Sequence, residues 1–197
     1  MTITPTSAII LAVLLVLVAV AAVIWASVHT KRQSQRLKTR FGAEYDRAVQ
    51  RLGSQSRAET ELRKRETRVG KLKIAPLSVE DGARFSQAWN RLQGRFVDNP
   101  KSVVVEADKL VRELMTARGY PMGDFEQRAS VISVDHPAVV EAYRAAQVIA
   151  IRDARGEADT EELRRAIVHY RTLFSDLLEV HAAPASERPR DVVAVQS

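Results

Sequence analysis

The sequence predicts an all-α protein: one N-terminal transmembrane helix followed by a helical bundle of about five to six helices. Three observations lead there. Between residues 8 and 28, twenty of twenty-one side chains are apolar, Ser27 being the exception. Downstream, apolar residues recur at steps of three and four, the period of a helix that buries one face. No segment alternates apolar with polar residues over the length of a strand. The Val103 to Val105 run leans towards β structure, but its flanks are helical.

The chain has 197 residues, a net charge of +6 and no cysteine, which excludes disulfides, thiolate nucleophiles and Cys-based metal sites. Its charge is divided. Residues 1 to 30 carry no charged side chain other than histidine, residues 31 to 70 carry twelve basic and five acidic, and residues 71 to 197 carry eighteen and nineteen. The excess of positive charge therefore lies beside the apolar run.

Residues 1–6 form a short uncharged start, and residues 7–30 read as the transmembrane helix. From Ala8 to Val28 a rise of about 1.5 Å per residue gives roughly 32 Å, against a hydrocarbon core of about 30 Å. The uncharged start argues for a retained helix rather than a cleaved signal. Lys31, Arg32, Arg36, Lys38 and Arg40 follow the run and no Lys or Arg precedes it, which places the N-terminus outside and the C-terminal domain in the cytoplasm of a bacterial inner membrane. Alanines at 8, 12, 19, 22 and 26 share a face; its plain reading is an Ala-rich face turned to lipid, as no Gly-x-x-x-Gly occurs, and its alternative is a seam for self-association through that helix.

Residues 31–56 read as a basic juxtamembrane amphipathic helix, with Leu37, Phe41, Tyr45, Ala48 and Leu52 on its apolar face. A helical soluble domain follows over 57–180. Ser56 and Glu59 have the spacing of a capping box ahead of Ala58, Leu62, Val69 and Leu72. Pro76 interrupts, and Ser78 with Asp81 restarts a helix whose stripe is Phe85, Trp89, Leu92 and Phe96. Asn99 and Pro100 open the next helix, with Val103, Val104, Ala107, Leu110, Val111, Leu114 and Met115 inward and Gly119 as its stop. A short helix from Asp124 precedes a longer one that Asp135 caps, entered through Pro137 and ended by Gly156. Asp159 and Glu162 start the last, with Leu163, Ile167, Tyr170, Phe174 and Leu177 inward. Residues 181–197 read as a disordered tail.

The sequence assigns no chemistry. No two glycines form Gly-x-Gly, and Gly70-Lys71-Leu72 is the nearest approach to a phosphate loop. His29, His136, His169 and His181 match no metal-binding spacing, and no Gly-x-Ser-x-Gly elbow occurs. No catalytic residue, cofactor or metal is called. Asp135-His136-Pro137 is the most tempting constellation, and its plain reading is a helix cap followed by a solvated imidazole. The basic residues Lys31, Arg32, Arg36, Lys38 and Arg40 are the candidate contact with the anionic leaflet of a lipid bilayer, each drawing about 1 kcal/mol near the surface. Nucleic-acid binding has no recognition helix or aromatic sheet behind it.

The segments Arg40-Phe41-Gly42-Ala43-Glu44-Tyr45-Asp46, Asp124-Phe125-Glu126-Gln127-Arg128-Ala129 and Val134-Asp135-His136-Pro137 resemble an uncharacterised family of bacterial single-pass membrane proteins with a helical soluble domain. The resemblance implies that architecture over about residues 25 to 180 and lends no functional residue. The expected function is a membrane-tethered helical scaffold or partner-recruitment protein, with a protein partner or self-association. The alternative is a small-ligand-binding or enzymatic domain with a pocket between helices.

Overall fold

The structure, a computed structural model, describes residues 5–178, with the side chains at 5–13, 15, 16, 19, 23 and 26 outside the description. The tail expected at 181–197 lies outside the described residues, as do the side chains of Ala8, Ala12, Ala19 and Ala26 of the alanine seam. All-helical architecture is what the described residues show: α1 Pro5–Phe41, α2 Ala43–Leu52, α3 Gln55–Val69, α4 Val79–Gly94, α5 Pro100–Arg118, α6 Phe125–Asp135, α7 Val140–Ala154 and α8 Thr160–Leu177.

Two features of the expected fold class are corrected. Among the described residues no helix is long and apolar enough to cross a membrane, so the transmembrane helix expected over 7–30 is not found. The element and the apolar run do not share their bounds. Helix α1 is 37 residues long and continues past the run through Lys31, Arg32, Arg36, Lys38 and Arg40. Among the described residues the helices number eight, and the boundary expected near residue 30 is moved: α1 runs on through 31–41, and Gly42 breaks the expected helix of 31–56. Its φ of +51° lies in the left-handed region, which glycine enters without steric cost.

The chain divides into two compact units, Met1–Arg63 and Lys64–Ser197. In the first, Leu37, Phe41, Tyr45, Ala48, Ala58 and Leu62 are buried, so the apolar stripe read from the sequence is a packed face. In the second, α8 packs against both α5 and α7, while α4 packs on α5 and α6 on α7. Trp89 stacks on Phe174 with ring centroids 4.6 Å apart, joining the aromatic stripe of α4 to the last helix. Phe96 lies past the end of α4 and is only half-buried.

Most helix starts follow local chemistry. Ser78 accepts from the Asp81 N–H at 3.0 Å, Asn99 from Ser102 at 3.2 Å and Asp124 from Gln127 at 2.7 Å, and Asp159 with Glu162 forms a complete capping box. Gly119 ends α5 at φ +90°, and a Cβ there would stand 2.6 Å from the Lys73 carbonyl oxygen, so conformation and space both demand glycine. Two expected starts differ. Asp135 is the last residue of α6 rather than the cap of α7, which begins at Val140 without a side-chain cap. Helix α3 begins at Gln55, and Glu59 turns inward instead of closing a capping box with Ser56.

Candidate functional site

The five basic residues singled out in the sequence lie on the last turns of α1, and all five are exposed. Their orientation follows from packing: Leu37 and Phe41 are 3% and 0% exposed, which fixes the rotation of the helix and turns the cations outward. Lys31 and Lys38 have no carboxylate partner among the described residues, although the Lys38 ammonium lies 5.3 Å from the centre of the Tyr45 ring.

Those two lysines line a cavity of about 660 Å³ together with Thr30, Ser34, Gln35, Gln55, Ser56 and Glu59. Glu59 is the buried member of this lining and accepts from the Tyr45 hydroxyl at 2.8 Å and from the Gln55 amide at 2.9 Å. Burial alone would push the Glu59 carboxyl up. Hydrogen bonds from Ser34, Gln55 and Tyr45, with the charge of Arg63, outweigh it and hold the carboxyl below its ordinary range. Tyr45 moves the other way, to about 12, through burial and then through its bond to the Glu59 carboxylate. The cavity thus combines an ionised, buried acceptor with two exposed lysines.

A second polar cluster lies in the other unit. His136, its side chain 10% exposed, pairs through Nδ1 with Asp176 of α8 and through Nε2 with the Tyr120 hydroxyl at 2.9 Å. The imidazole expected to be solvated is therefore a bridge across three chain segments. Arg118 stands beside it, 7% exposed, donating to the Leu177 carbonyl at 3.0 Å and the Ala75 carbonyl at 3.3 Å. No carboxylate neutralises Arg118 among the described residues. It is balanced instead by the carbonyl end of α8, where the helix dipole is negative. These groups, with Ile74, Asp135, Pro137 and Ala138, line a cavity of about 440 Å³. Chemically, an imidazole oriented by a carboxylate and bonded to a phenol can relay a proton.

The sequence pointed to His136 but not to its partners, which stand 16 and 40 positions away. Tyr120 and Asp176 carried no signal beyond their places after Gly119 and in the last turn of α8. Among the described residues no group of three or more His, Asp or Glu is arranged to hold a metal ion. Comparisons with protein-family models, with curated proteins and with solved structures find no match for the chain.

Proposed function

We propose that this protein is a helical scaffold or partner-recruitment module that works against the anionic inner face of a bacterial cytoplasmic membrane, with no catalytic step assigned. The observation behind the reading is the outward array of Lys31, Arg32, Arg36, Lys38 and Arg40 on a helix whose opposite face is buried at Leu37 and Phe41. Exposed cations attract an anionic surface, and the attraction falls off within a Debye length. The charge-balanced second unit is then left to meet a partner. The test is sedimentation of the full chain with vesicles of neutral lipid and of neutral lipid mixed with anionic lipid. Preference for the anionic vesicles, lost when all five residues are replaced by Gln and weakened by salt, supports the reading; equal binding to both rejects it.

A second reading, a small-ligand pocket between helices, is favoured by the Tyr120–His136–Asp176 cluster beside buried Arg118. Thermal-shift screening of small polar metabolites tests it. A stabilising compound whose effect disappears in both Tyr120→Phe and His136→Gln supports a site there, and stabilisation that survives both substitutions rejects it.

A further inference from the structure

The cavity between α1 and the start of α3 has a chemistry more selective than a basic patch. We infer that it is a binding site for the polyol-phosphate headgroup of an anionic lipid, a phosphate esterified to a group that carries free hydroxyls. The inference rests on the surface-contact reading above and narrows it to one class of headgroup.

Two kinds of group face the cavity, and each fits one half of such a ligand. Lys31 and Lys38 are seven positions apart, two helical turns, and so lie on one side of α1 with Ser34 and Gln35 between them. Neither ammonium is spent on an ion pair among the described residues, so both remain to meet a phosphate, which lysine binds as a compact point charge. Ser56 and the Gln35 amide add polar groups at the same opening.

Glu59 is the discriminating feature. A cavity built only to attract anions would exclude a carboxylate, yet the buried Glu59 lines this one and is held ionised by Ser34, Gln55 and Tyr45. An ionised carboxylate has about four acceptor positions. Its role towards a ligand is to accept hydroxyl donors and to repel a second anionic group at that depth. A phosphate at the lysines with hydroxyls reaching towards Glu59 satisfies both halves. A headgroup whose far end carries a carboxylate meets Glu59 with like charge. The volume of about 660 Å³ is ample for a headgroup of this size.

The test uses the full chain and three probes: neutral vesicles with added phosphatidylglycerol, neutral vesicles with an equal fraction of phosphatidylserine, and soluble glycerol phosphate as competitor. Both lipids carry one net negative charge, but one ends in a diol and the other in an amino acid. The expectation is tighter binding to phosphatidylglycerol. The double variant Lys31→Gln/Lys38→Gln should lose that preference along with about fivefold in affinity per lysine. The double variant Arg36→Gln/Arg40→Gln, equal in charge, should weaken both lipids alike and keep the preference. Glu59→Gln should lower the preference while strengthening binding to phosphatidylserine, and the comparison of the two double variants, all at exposed positions, decides the inference if Glu59→Gln fails to fold.

Equal binding to the two anionic vesicles, or equal effects of the two double variants, overturns the inference while leaving surface contact standing. Failure to bind any anionic vesicle overturns both. Competition by soluble glycerol phosphate well below its lipid-bound equivalent would identify a soluble ligand and overturn the lipid assignment.

Discussion

Trp89 is 4% exposed, and its ring lies 4.6 Å from that of Phe174, but its indole N–H is buried without a hydrogen-bond partner among the described residues. Its two contributions therefore oppose each other: the ring stabilises through packing, while the unpaired donor costs desolvation. Trp89→Ala should lower stability by about 3 to 5 kcal/mol, whereas Trp89→Phe should cost far less because it removes the unpaired donor and keeps a stacking ring. Thermal unfolding of the full chain checks both, and a melting temperature unchanged by Trp89→Ala would contradict a packing role. The Tyr45–Glu59 pair sets a dependence on pH at both ends of the scale. Glu59 has its pKa depressed by folding, so its contribution is complete above the ordinary carboxylate value and is lost as pH falls through the lower folded one. Tyr45 has its pKa raised, so its contribution is complete below about 10 and declines as pH rises towards about 12. Denaturant titrations across pH should show both losses, and Tyr45→Phe should remove the share of the alkaline loss that belongs to Tyr45.

At the scale of elements, His136 is a clasp. It follows α6, pairs with Asp176 on α8 and bonds Tyr120 just beyond α5, so one ring ties together three segments that meet nowhere in the sequence. His136→Ala should destabilise by about 1 to 3 kcal/mol through the partners it leaves unpaired in a partly buried site. In a double-mutant cycle, Tyr120→Phe and Asp176→Asn should be non-additive, because both act through the same imidazole. Strict additivity would show that the ring does not connect them. What the sequence revealed divides along the same line. The caps at Ser78, Asn99, Asp124 and Asp159 were legible because cap and recipient N–H lie three residues apart. The stripe on α8 was legible because its period is a property of one helix. Glu59 was misread for the opposite reason: its spacing from Ser56 fits a cap, but the Tyr45 hydroxyl fourteen residues earlier supplies a better-buried partner. The break at Gly42 was overlooked because the apolar period continues in register through it, and Leu37, Phe41, Tyr45 and Ala48 are buried on both sides.

For the molecule as a whole, the proposed location has a direct test. A reporter active only outside the cytoplasm, fused after Ser197, should be silent, and strong activity there would reject the proposed inner-face location. The uninterrupted course of α1 has a different consequence. A helix of 37 residues, roughly 55 Å long, gives every residue on it a fixed angular phase. Thr30, Lys31, Ser34, Gln35 and Lys38 meet one cavity only because their phases agree. One alanine inserted between Ser34 and Gln35 would turn all that follows by about 100° relative to what precedes. Lys31 and Lys38 would then face different directions, with every residue retained and the net charge unchanged. The same alanine inserted ahead of Ser27 would leave the spacing of all five residues intact. If phosphatidylglycerol preference falls with the first insertion and survives the second, recognition along α1 is written in angle rather than in composition, and two chains identical in amino-acid content would differ in what they bind.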